Sequence, residues 1–90
     1  MLAADHLRII GDCARDFDAE AVWLFGSSLG QPSEAADIDL AVEGVAPEQF
    51  FKFYFRLMMA LPKRVDLVDL SLDPPIAAII REKGTRIYER

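Results

Sequence analysis

Ninety residues and 10.1 kDa provide for one domain, 1–90, because domains run from about 50 to 250 residues. A composition that is 52% hydrophobic and 28% charged excludes a disordered segment and fits a packed globule. Ten basic against fifteen acidic residues leave a net charge of -5. That balance argues against strong nucleic-acid binding along a phosphate backbone, but not against a nucleotide whose phosphates are neutralised by metal ions. Leu2 to Phe17 carries apolar residues at near-helical spacing, and Gly11 costs that helix up to ~1 kcal/mol relative to alanine without ending it. Ala21 to Phe25 is a short, wholly apolar run that predicts a buried strand, ended by the turn chemistry of Gly26-Ser27-Ser28-Leu29-Gly30 and Gln31-Pro32-Ser33. Asp37 to Glu43 predicts a second strand closed by Gly44.

Pro47-Glu48 begins a helix that runs to about Leu61 and stops at Pro62. Arg64 to Leu70 alternates as a third strand. Asp73-Pro74-Pro75 reads as an N-cap with proline in the first turn, opening a helix through Glu82-Lys83 that Gly84 caps. Thr85 to Tyr88 is a short last strand. The order predicts an α/β (α+β) fold, a small mixed sheet of about four strands flanked by helices.

The lone cysteine, Cys13, excludes an internal disulfide, and no Cys/His cluster suggests zinc. The N-terminus turns charged within a few residues, unlike a signal peptide. Phe50 to Leu61, the longest apolar stretch, is broken by Lys52 and Arg56 and falls short of the ~20 residues of a membrane span. A cytoplasmic protein without membrane association is expected.

Three short motifs carry the candidate chemistry. Asp37 and Asp39, two apart on a strand, share one face while Ile38 and Leu40 take the other. Paired carboxylates repel unless a cation lies between them, and such pairs suit Mg²⁺, which binds one or two carboxylates together with substrate phosphates. Taken alone, the pair also suits a solvated polar face. Gly26-Ser27, directly after a buried strand, offers backbone amides and a hydroxyl that a phosphate can approach, and alone it also suits an ordinary turn. Asp66 lies in a Val-Asp-Leu-Val-Asp-Leu run where burying a carboxylate is costly without a partner. By strand parity Arg64 shares its face, whereas Lys63 and Asp69 do not, and Asp69 falls at the strand's exit.

Phe25-Gly26-Ser27, Asp37-Ile38-Asp39-Leu40 and Val65-Asp66-Leu67, in this order and spacing, resemble the nucleotidyltransferase superfamily of DNA polymerase beta. The short length is similar to that of its minimal nucleotidyltransferases, the MNT or MntA-like antitoxins. The resemblance implies transfer of a nucleoside monophosphate, AMP from ATP, onto an acceptor hydroxyl with pyrophosphate leaving. In that scheme Gly26 and Ser27 hold the triphosphate. Asp37, Asp39 and Asp66 are both the catalytic residues and the ligands of two Mg²⁺ ions, with Asp66 toward the acceptor and taking its proton.

The resemblance also implies a partner, a HEPN-family toxin whose tyrosine receives the AMP. Relatives often carry arginines after the Gly-Ser and a serine before the first aspartate, where this chain has Ser28-Leu29-Gly30 and Ala36. Triphosphate binding here then depends more on metal and backbone amides. Larger family members add a helical acceptor-binding domain, so at this length the acceptor is expected to be recognised by a partner or to be the partner.

Phe50, Phe51, Phe53, Tyr54, Phe55, Leu57, Met58, Met59 and Leu61 fill a helix whose polar residues Glu48, Lys52 and Arg56 form one stripe. Part of this surface is core. In so small a domain the excess is expected to meet another chain, as a homo- or hetero-oligomer. His6, Trp23, Tyr54 and Tyr88 read as surface or structural residues. A non-catalytic module that neutralises its partner through the apolar helix, or transfer onto a small molecule, are the alternatives.

Overall fold

The computed structural model describes residues 3–26 and 37–90. Its elements follow the expected order: α1 (Ala4–Asp16), β1 (Ala21–Phe25), β2 (Asp37–Glu43), α2 (Phe50–Ala60), β3 (Arg64–Asp69), α3 (Ala77–Lys83) and β4 (Thr85–Glu89). Single 3₁₀ turns, Pro47–Gln49 and Leu70–Leu72, lead into α2 and follow β3. The four strands form one mixed sheet in the order β3-β2-β1-β4. β1 runs antiparallel to β2 and β4, and β2 runs parallel to β3, with α2 as the crossover.

Alternation of side chains divides the sheet into two faces. Val22, Leu24, Ile38, Leu40, Val42 and Val65 point toward α1 and α2, where Ile10, Phe53 and Leu57 complete the main core with no exposed surface. Phe17 and Phe53 meet at 5.5 Å between ring centroids, and Arg56 lies over Phe17 while pairing with Asp16, so α1 and α2 are tied along their shared edge. The Tyr54 hydroxyl donates to the Val65 carbonyl at 2.8 Å, which fixes α2 on β3. On the opposite face Ala41, Leu70, Ala77 and Ile80 form a smaller core with Trp23, Phe25 and Val68, beneath α3.

The start of the last helix differs from expectation. Asp73 does not cap it. It takes a left-handed conformation, φ 51°, at the end of the Leu70–Leu72 turn, and helical structure begins only at Ala77. Pro74 and Pro75 disfavour the helical region for the residues before them, which moves the start downstream. Gly84 does end α3, but with extended backbone, so left-handed geometry is not its reason for being glycine. A Cβ there would lie 2.6 Å from the Ile80 carbonyl and 3.1 Å from that of Leu24, so its lack of a side chain lets α3 press against the end of β1.

Candidate functional site

Pairing in the sheet brings the three sequence-predicted carboxylates together on one face. Asp39 is the partner of Asp66 across the parallel β2–β3 pair, and Asp37 is the partner of Arg64. Asp37 and Asp39 are half-buried, while Ile38 and Leu40 between and beyond them are fully buried in the main core. All three carboxylates therefore occupy the face opposite α1 and α2, shared with Trp23, Phe25 and α3.

Asp66 departs from the expectation of a costly buried charge. The sheet order leaves β3 at an edge, and the Asp66 side chain is 47% exposed. Arg64 shares its face as parity predicts, at 3.9 Å, a solvated contact worth at most ~1 kcal/mol. Asp69 ends β3 and accepts from the Ser71 amide at 3.0 Å, a local turn contact outside the acidic group.

The end of β1 fits against this group. Phe25 is the register partner of Asp39, and the next residue, Gly26, has φ +67°. A Cβ at Gly26 would lie 2.4 Å from Asp39 Oδ2 and 3.1 Å from its Cγ. Glycine is thus required twice, for its conformation and for the space the Asp39 carboxylate occupies. Ser27, the other predicted phosphate-binding residue, lies outside the described residues, as do Ser28, Leu29, Gly30 and Ala36.

The donor set fits Mg²⁺. Three carboxylates on one face offer hard oxygen ligands, yet among the described residues no group of three His, Cys, Asp or Glu side chains is already gathered around a common point. An all-protein cage is the arrangement Mg²⁺ uses least; it takes one or two carboxylates and completes its shell with water and substrate phosphates.

Two further features share the acidic face. A pocket of about 360 Å³ runs between the end of β1 and α3, lined by Phe25, Gly26, Ile76, Ile79, Ile80, Lys83 and Gly84. Trp23 is partly buried under Arg86, whose guanidinium carbon is 5.6 Å from the ring centroid, and the Trp23 Nε1–H is buried without an acceptor among the described residues. Neither Lys83 nor Arg86 was singled out from the sequence. No spacing rule links Lys83 to Gly26 or Arg86 to Trp23, because these neighbours meet only through the packing of α3 and β4 on β1.

The exposed surface expected of the aromatic helix is present. Phe51, Phe55, Met58 and Met59 are 46–78% exposed along one side of α2, beside a hollow of about 530 Å³ lined by Phe17, Phe51, Lys52, Phe55 and Arg56. Because Phe53 and Leu57 of the same helix fill the main core, this apolar stripe lies on the far side of the sheet from the carboxylates. A further hollow of about 670 Å³, near Gly44, Pro47, Phe50 and Asp69, sits at the carboxyl ends of β2 and β3. Asp37 and Asp39 stand at the other end of β2.

None of the described helices is long and apolar enough to cross a membrane. No curated protein sequence matches the chain significantly. Solved structures with a similar fold include the toxin-antitoxin MntA-HepT, at 22% identity and a TM-score of 0.73, covering 98% of this chain and 74% of the other. A toxin-antitoxin with AMP-PNP is similar at 25% identity and a TM-score of 0.73, with coverages of 93% and 73%. A tri-AMPylated Shewanella oneidensis HEPN toxin in complex with MNT antitoxin is similar at 23% identity and a TM-score of 0.70, with coverages of 94% and 71%. The Polymerase beta nucleotidyltransferase family model matches residues 8–90, and the chain belongs to that family.

Proposed function

We propose that the protein is a Mg²⁺-dependent nucleotidyltransferase that moves AMP from ATP onto a tyrosine hydroxyl of a HEPN-type toxin and so acts as its antitoxin. The observation that carries this reading is the position of Asp39 between Asp66, its partner on β3, and Gly26, the residue that follows its partner on β1. Support for the nucleotide comes from the similar toxin-antitoxin with AMP-PNP. Support for the acceptor comes from the similar MNT antitoxin, whose HEPN toxin partner is tri-AMPylated.

Asp37 and Asp39 would hold the ions, and Asp66 would complete the set on the acceptor side. When bound, Mg²⁺ supplies charge neutralisation for the phosphates and lowers the pKa of the attacking hydroxyl. The remaining work belongs to the chain. Gly26, with Ser27, lets the backbone come close to the triphosphate beside Asp39. The acceptor oxygen forms a bond to the α-phosphorus, the α–β bridging P–O bond breaks, and pyrophosphate leaves with that electron pair. Asp66, half-exposed on an edge strand, accepts the hydroxyl proton from the solvent side of the sheet.

Incubation of the protein with α-labelled ATP, Mg²⁺ and host extract tests the reading. Label should appear on one acceptor protein and disappear with the Asp37→Asn, Asp39→Asn double variant. Full labelling by that variant would refute the site.

The exposed α2 stripe favours a second reading, neutralisation of the partner by binding alone. On that reading the same double variant still protects against the toxin, and no label is transferred.

A further inference from the structure

Between Arg15 and Lys52 the sequence has no lysine or arginine, so the segment that would carry a triphosphate brings no cation of its own. Asp39 stands against Gly26, on the face that also carries Asp37 and Asp66. A nucleoside triphosphate carries about four negative charges, and Mg²⁺ held by those aspartates would have to offset carboxylate and phosphate charge alike. A protein cation near Gly26 can therefore come only from elsewhere in the fold.

Most basic side chains around this face are engaged. Arg64 faces Asp66, Arg81 pairs with Glu43 at 3.1 Å, and Arg86 lies over Trp23 and pairs with Glu89 at 3.3 Å. Lys83 is different. It is exposed, makes no ion pair among the described residues, and lines with Gly26 and Phe25 the pocket between β1 and α3. The other side chains of that pocket are apolar, so the Lys83 ammonium is the one charged group among its lining residues. The close approach of Gly84 to the Leu24 carbonyl holds the end of α3 against the end of β1, so Lys83 is anchored next to Gly26.

We propose that Lys83 is a binding residue for the polyphosphate of the donor nucleotide, supplying from α3 the positive charge that the Gly26 segment lacks. This rests on the functional reading above. It also places the donor on the β1 side of the aspartates and leaves the β3 edge, with Asp66, to the acceptor.

Isothermal titration of the full chain with ATP and with AMP, in Mg²⁺, tests it. Lys83→Met should weaken ATP binding by about tenfold or more, the value of one charge-assisted hydrogen bond. AMP binding should stay within about twofold, and Lys83→Arg should restore most of the ATP affinity. Melting temperature serves as the fold control. If Lys83 only neutralises the carboxyl end of α3, the Met variant loses some thermal stability and binds ATP like the wild type, which overturns the proposal. Equal losses for ATP and AMP also overturn it. A folded wild type that binds no nucleoside triphosphate overturns the functional reading and this inference with it.

Discussion

Replacing Gly26 by alanine separates the two demands made on that position. At φ +67° an L-residue is disfavoured by roughly 1–2 kcal/mol. For a domain of this size that corresponds to about 4–16 °C in melting temperature. The new methyl would also sit 2.4 Å from Asp39 Oδ2, where ordinary contact begins at 3.4 Å. The carboxylate must therefore retreat by 3.4 − 2.4, or 1.0 Å. The end of a short side chain can move that far cheaply, so the steric part of the stability loss is small. The chemical consequence is large, since a displacement on the order of 1 Å in a catalytic group can cost about 100-fold in rate. Thermal melts and AMP-transfer rates would be measured for Gly26→Ala, Asp39→Ala and the double variant. In the Asp39→Ala background the conflict with Oδ2 and Cγ is gone, and only the backbone strain should remain. A Gly26→Ala protein with unchanged melting temperature and transfer within threefold of wild type would refute the reasoning.

Gly44→Ala provides the contrast. Its φ is +90°, and a Cβ there would meet Glu20 Cγ at 2.4 Å and the Glu20 backbone nitrogen at 2.9 Å. Backbone cannot swing aside, so a loss of about 2 kcal/mol or more is expected in denaturant titration, with the rate constant of transfer unchanged in the folded fraction. In α2, Phe53→Ala should cost about 3–5 kcal/mol because Phe53 has no exposed surface. Phe51→Ala, at 78% exposed, should fall within about 0.5 kcal/mol while weakening capture of the partner. The pH dependence of stability should carry a signature of Cys13. Burial pushes its thiol pKa up, Arg56 opposes that, and Asp16 and Asp12 add to it. Since the native state holds the proton more tightly, this contribution is complete below the unfolded thiol value of about 8.5. It is then lost as pH rises toward the higher native one. The stability difference between wild type and Cys13→Ala in urea melts should be constant at neutral pH and change only in that alkaline range.

Much of this architecture was legible because it depends on local chemistry. The alternation Asp-Ile-Asp-Leu fixed which side chains of β2 are buried, and Pro47 and Pro62 bracketed α2. Parity alone correctly put Arg64 beside Asp66 and separated Asp69 from it. Neighbour relations between strands were another matter. Nothing in Val-Asp-Leu-Val-Asp-Leu says that β3 lies at an edge, so the expected cost of burying Asp66 does not arise. The double proline after Asp73 has the chemistry of a helix opening, yet the restriction it places on preceding residues delays the helix. The place of Lys83 is as illegible in the sequence as the sheet order, because its neighbourhood is made by tertiary packing.

The aromatic stripe on α2 and the carboxylates occupy opposite faces of a body whose shortest principal extent is 20 Å. A partner gripped by the stripe would thus be held behind the sheet, away from the reacting atoms. To deliver a hydroxyl to Asp66, it would have to pass around the β3 edge. Crossing 20 Å takes about six residues of extended chain. An acceptor hydroxyl would then sit on a tail or loop of at least that reach, or on a second copy of the partner. Attachment and chemistry would not compete for the same surface, and one grip could serve more than one transfer.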